Sequence, residues 1–161
     1  MRPIEIRGSV LRSIAEHART TYPDECCGFL IAPPDPPGDG SVRSIVDAQP
    51  AGNEFEGERR RRFLLRPEDL RATERRLDGT GLMVAGFYHS HPDHPARPSE
   101  FDQDHAWPWY TYLVIGVTRH GIGEARAFEL DSESSEFREV PVRRAIGANR
   151  GRPVVPTYGR G

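Results

Sequence analysis

Within GFYHSHPDHPARPSEFD, residues 86–102, histidines stand at 89, 91 and 94 and carboxylic acids at 93, 100 and 102. On an extended strand successive side chains alternate faces, so His89 and His91 project together and Ser90 projects the opposite way. Two imidazoles at i and i+2 can chelate one metal ion. A helix starting after the Pro-rich turn can bring Asp102 back to the strand end as a third ligand. Two histidines, one carboxylate and an open fourth position form a catalytic type of zinc site, in which the cation lowers the pKa of water to about 7. Hydrolysis there also needs a base to take the water's proton and pass it to a leaving nitrogen. Glu25, in DECCGFLI, is the candidate. It stands at the entrance of an apolar run, where an unpaired carboxylate is costly unless it faces a cavity.

Each of these residues also has a plainer reading. SEFD (99–102) has the form of a capping box, so Ser99 and Asp102 could serve only as helix-capping groups. His89 and His91 could be polar strand-end residues, and Glu25 a surface acid at a strand start. His94 lies in a Pro-flanked loop, as an alternate ligand or as a solvent or substrate contact. His105, three residues after Asp102, could support the site or only the helix surface. Cys27 shares a strand face with Glu25 and is a soft zinc ligand in principle, but small buried filler is the better account of both cysteines. Trp107, Trp109 and Tyr110 suit core and rim positions, with one or two available to line a channel. The run Arg59–Arg62 is a solvated edge or the flank of a groove for an acidic carrier protein.

The elements that must position these groups follow from pattern. Val10, Leu11, Ile14 and Ala18 give residues 8–20 an amphipathic helical stripe, with Ser9 as a possible N-cap and Tyr22-Pro23-Asp24 as its end. CCGFLIA is a buried strand closed by PPDPPGDG, and 41–49 reads as a second strand pairing with it as a hairpin. RRFLL reads as a short strand. Residues 66–79 form a helix with Pro67 in its first turn and Gly79 at its end, and Leu70 and Leu77 make its buried stripe. GLMVAGFYH (81–89) is a core strand running into the histidines, and TYLVIGVT (111–118) is another. GEARAFEL and FREVPVR are further strands, and the Gly/Pro/Arg-rich residues 146–161 read as an extended tail. Irregular alternation of strands and helices predicts an α/β sandwich with a mixed sheet and helices on its faces.

Composition narrows the function classes. The chain has 161 residues, 36% hydrophobic and 29% charged, which suits one domain of an average globular protein. A net charge of −2 provides no general field for nucleic acid or an anionic membrane, and neither is an expected partner. No segment is apolar enough for a membrane span or a signal peptide, so a cytoplasmic location is expected. All basic residues are arginine, which excludes lysine Schiff-base chemistry. Adjacent Cys26 and Cys27 form no disulfide framework and read as reduced thiols.

Glu25 followed by H-x-H-x7-S-x2-D at His89, His91, Ser99 and Asp102 resembles the JAMM motif of the MPN-domain metalloproteases, with every position matched. The resemblance runs from about residue 5 to 130. It implies an MPN-like, cytidine-deaminase-like three-layer α/β fold, its mixed, mostly antiparallel sheet flanked by helices, over a domain at 1–145. It also implies that His89, His91 and Asp102 bind one Zn2+ per chain and that Glu25 serves as general base and acid. Ser99 would stabilise the oxygen of the scissile carbonyl. The family hydrolyses amide or isopeptide bonds after the C-terminal glycine of ubiquitin-like proteins. Resemblance to its compact bacterial members implies a small ubiquitin-like sulfur carrier with a Gly-Gly terminus as partner, losing cysteine or a short extension. A deconjugating isopeptidase and a non-catalytic MPN scaffold are the alternatives, and the resemblance leaves room for a homodimer.

Overall fold

The structure, a computed structural model, describes residues 2–38, 40–53, 55–59 and 63–145. The tail at 146–161 and most of the arginine run, Arg60–Arg62, lie outside the described residues. Strands β1 (Ile4–Arg7), β2 (Cys27–Ala32), β3 (Arg43–Ile45), β4 (Asp47–Ala51), β5 (Met83–Pro92), β6 (Thr111–Thr118), β7 (Gly121–Leu130), β8 (Phe137–Val140) and β9 (Val142–Ala145) are joined by three helices. These are α1 (Gly8–Thr21), α2 (Pro67–Leu77) and α3 (Glu100–Asp104).

Six strands form one sheet in the order β4-β2-β5-β6-β7-β8, antiparallel throughout except for the parallel pair β5–β6. Strand β1 lies between β3 and β9 in a second, parallel sheet of three strands. On one face of the large sheet, Val10, Ile14 and Ala18 of α1 pack against Leu30, Tyr88, Leu113 and Ile115. On the opposite face, Leu77 and Leu70 of α2 meet Phe29, Ile31, Phe87 and Tyr112. Alternation along β5 therefore puts Tyr88 under α1 and Phe87 under α2. This is the expected α/β arrangement, a mixed, mostly antiparallel sheet flanked by helices. No described helix is long and apolar enough to cross a membrane.

Several local expectations change. Residues 41–49 are not one hairpin strand: Ile45 packs in the α1-side core as part of β3, and β4 begins at Asp47 and pairs with β2. The chain changes sheets at Val46, whose amide donates to the Ile31 carbonyl at 2.9 Å. FREVPVR is divided in the same way at Pro141, which lacks the N–H needed to continue a ladder. Phe63–Leu65 is not a strand; its side chains face the α2 side instead. Helix α1 takes Arg7 as N-cap, with no side-chain cap bond, because it follows β1 without a loop; Ser9 is already inside it.

The parallel pairing of β5 and β6 matters most for the site. Parallel neighbours cannot be joined by a tight turn, so the chain must cross over between them. That crossover, residues 93–110, carries Ser99 and α3. Gly86 allows β5 and β6 their close approach: a Cβ there would lie 1.9 Å from the Thr111 carbonyl oxygen.

Candidate metal centre

Strand β5 continues three residues past the predicted end and keeps both histidines in regular register, His89 opposite Val114 and His91 opposite Gly116. Ser90 turns to the other face, where its Oγ accepts the Cys26 amide at 2.8 Å. Asp102 is the third residue of α3, and the capping box is complete: the Asp102 amide donates to Ser99 Oγ at 3.1 Å, and the Ser99 amide donates to Asp102 Oδ2 at 2.7 Å. The cap is the device that aims Asp102, so the plain and the chemical readings of SEFD coexist.

Three ligand-type atoms converge. His89 Nε2 is 3.1 Å from His91 Nε2, and Asp102 Oδ2 is 3.2 Å from the first and 3.4 Å from the second. All three residues are buried, and their ligand atoms form a metal-competent group among the described residues. Ligands about 2.0–2.1 Å from a tetrahedral zinc ion stand about 3.3 Å from one another, so the observed triangle has the right edges. At His91 the proton placement agrees. His91 Nδ1 is 2.8 Å from the Pro95 carbonyl, which can only accept, so that nitrogen carries the proton and Nε2 keeps its lone pair for a cation. Burial lowers the pKa of His89 and favours the neutral ring a metal requires. Asp102 is opposed by burial, but the facing His89 and His91 and the Ser99 amide hold its carboxyl well below the usual carboxylate range.

Glu25 stands two residues before the start of β2 and is 2% exposed. Its amide donates to the Arg59 carbonyl at 2.7 Å, and its own carbonyl accepts from Asn53 Nδ2 at 3.2 Å. Its Oε2 is buried with no hydrogen-bond partner among the described residues. Burial, with the nearby charge of Asp102 adding to it, pushes the carboxyl up to about 9. Glu25, His91 and Ser99 share the lining of one polar cleft of ≈ 620 Å³. On the other side of the cluster, His89 and Asp102 form the end of a more apolar groove of ≈ 320 Å³ walled by Phe63, Leu65, Leu70, Phe87 and Trp107. Phe101 borders both.

The remaining sequence candidates lie around this centre. His94 is exposed on the cleft wall, edge-on to His91 with ring centroids 6.4 Å apart. His105 packs on Phe101 at 4.1 Å and lines the groove. Cys27 is buried with its thiol toward the Gly52 carbonyl, outside the metal-competent group. Trp107 is 56% exposed at the groove rim, whereas Trp109 takes the Arg43 guanidinium over its ring at 4.5 Å. Two residues escaped the sequence reading. Phe63 stacks on His89 with centroids 4.4 Å apart. Asn53 accepts the Phe55 and Leu64 amides and so ties the Phe63 segment to Glu25. The only sequence signal was an asparagine in the aperiodic AGNEFEGE, where side-chain-to-backbone bonding is common.

The profile of the prokaryotic homologs of the JAB domain matches residues 8–131. Desampylase of Haloferax volcanii is 33% identical over 139 residues, 86% of this chain and 91% of that protein. Tail tip assembly protein K of Escherichia phage N15 is 33% identical over 98 residues, 61% of this chain but only 34% of the phage protein. Among solved structures, a protein of Salinibacter ruber aligns with TM-score 0.66 and 34% identity, covering 88% of this chain and 92% of that one. A Desulfitobacterium hafniense protein aligns with TM-score 0.74 over the same shares at 24% identity, a likeness of fold. The long profile match and the desampylase identity, over a chain folded around a buried His-His-Asp cluster, make this protein a member of the prokaryotic JAB-domain family.

Proposed function

We propose that the chain is a zinc-dependent hydrolase that cuts the amide bond after the C-terminal Gly-Gly of a ubiquitin-like protein, with an extended sulfur carrier as its substrate. The observation that carries this reading is the convergence of His89 Nε2, His91 Nε2 and Asp102 Oδ2 beside a cleft that Glu25 and Ser99 also line. The two histidines and Asp102 would hold the ion, which would act as a Lewis acid and make water nucleophilic near neutral pH.

The protein's own groups perform the rest. Glu25 takes the proton of the attacking water and returns it to the departing amine nitrogen; a cation beside it favours the carboxylate form that the first transfer needs. Ser99 Oγ already accepts the Asp102 amide, so its hydroxyl hydrogen is free to donate to the oxygen of the scissile carbonyl. The apolar groove receives the chain preceding the bond, with Phe63 and Phe101 excluding water beside His89 and Asp102. Gly-Gly suits a buried metal centre because it brings no side chain to obstruct the approach of the scissile bond.

The identity to desampylase favours a second reading, deconjugation of an isopeptide-linked ubiquitin-like modifier. One assay tests both. The zinc-loaded chain is offered a ubiquitin-fold protein ending in Gly-Gly plus one residue and, separately, the same protein joined through Gly-Gly to a lysine side chain. Faster hydrolysis of the extended protein is expected; preference for the lysine conjugate would select deconjugation, and hydrolysis of neither would refute the hydrolase reading.

A further inference from the structure

Two spaces, the cleft and the groove, adjoin the His-His-Asp cluster. Under the proposed function Glu25 gives its proton to the departing nitrogen, so the leaving group must lie in the space that Glu25 borders. That space is the polar cleft, and Glu25 is absent from the groove. Besides Glu25, His91 and Ser99, the cleft wall carries His94, Arg97 and Glu100.

Arg97 is unusually well placed for an exposed arginine. Its backbone amide donates to the Pro95 carbonyl at 2.8 Å, and the same carbonyl accepts from the imidazole of His91. Ala96, beside it, is buried against Val114 and Phe128. At the start of the loop, the Asp93 amide donates to the Val117 carbonyl at 2.8 Å. The backbone bearing Arg97 is thus fixed to the metal-ligand strand and to β6. The guanidinium makes no hydrogen bond or ion pair among the described residues. Glu139 senses its charge, but that carboxylate is already engaged by Arg126 at 2.8 Å.

We propose that Arg97 is a specificity residue that binds the free α-carboxylate of the leaving group, so that the substrate's extension beyond Gly-Gly is a single amino acid or a very short peptide. A guanidinium offers paired donors matched to a carboxylate. An isopeptide leaving group has no carboxylate at the equivalent place, being a lysine side chain within a folded protein. Glu100, on the same wall, opposes a second negative charge and so disfavours long acidic extensions. The assignment rests on the hydrolase reading above.

The test uses the zinc-loaded full chain and a ubiquitin-fold protein ending in Gly-Gly-Ala, prepared once with a free C-terminal carboxylate and once as the carboxamide. Wild type is expected to favour the carboxylate roughly tenfold in kcat/KM, mostly through KM. In Arg97→Gln that ratio falls to about one, and Arg97→Lys restores part of it. Equal cleavage of both substrates by wild type, or an unchanged ratio in Arg97→Gln, would overturn the assignment while leaving the hydrolase reading intact. Cleavage of neither by wild type would overturn both.

Discussion

Asp102 Oδ2 faces two imidazoles and a backbone amide within 3.4 Å, and Glu25 Oε2 faces no partner at all among the described residues. The contrast assigns opposite protonation to two neighbouring acids. Asp102 is held as a carboxylate, whereas Glu25 in metal-free protein holds its proton up to about pH 9. Because its folded pKa is raised, Glu25 adds stability below its unfolded value near 4.5 and loses it as pH climbs toward 9. Metal-free Glu25→Gln should therefore match wild type at pH 4 and exceed it in melting temperature at pH 8. The gain in free energy is about 1 kcal/mol per pH unit over that window. A pH-independent offset would contradict the burial effect. Ser99→Ala removes an N-cap and a donor together. It should lower stability by about 1 kcal/mol in denaturant titrations and lower kcat by about 10²-fold or more. A loss of stability alone would reduce Ser99 to a cap.

At the scale of elements, the site depends on the β5–β6 crossover and on how closely those strands approach. Gly86→Ala places a methyl group against the Thr111 backbone, which cannot move without parting the strands. A loss of about 3 kcal/mol or more is expected by chemical denaturation, with weakened metal retention, since the same pairing fixes His89 and His91. Undiminished stability would show that the two strands can separate at no cost. The strand of β5, the helix α2 and the spacing from His89 to Asp102 were legible in the sequence because periodicity and local capping determine them. Strand β1 and the breaks at Val46 and Pro141 were not. IEIR is too short to announce itself, and a chain that switches sheets keeps its alternation while changing partners. Phe63 was read as part of a strand because its apolar neighbours resemble one; stacking on His89 is a tertiary contact that no local pattern encodes.

Over the whole molecule the two faces of the large sheet do different work. The α1 face is a continuous apolar core reaching from β1 to β9. The α2 face breaks into smaller clusters and leaves room for the groove and the cleft. Glu25 shows how far the sequence could be read. Its chemical type and its place before a buried strand were visible, but its meeting with residues more than sixty positions away depends on β2 pairing with β5, where Cys27 stands opposite His89. The core on the α1 face does not include the metal-competent residues, so the fold is expected to persist without the ion. Whether His89, His91 and Asp102 together hold zinc is read from the metal content after zinc loading and extensive desalting. About one zinc per wild-type chain is expected, and none in a folded His89→Ala/His91→Ala variant. A wild-type chain that retains no zinc, or a double variant that retains as much, would contradict that assignment.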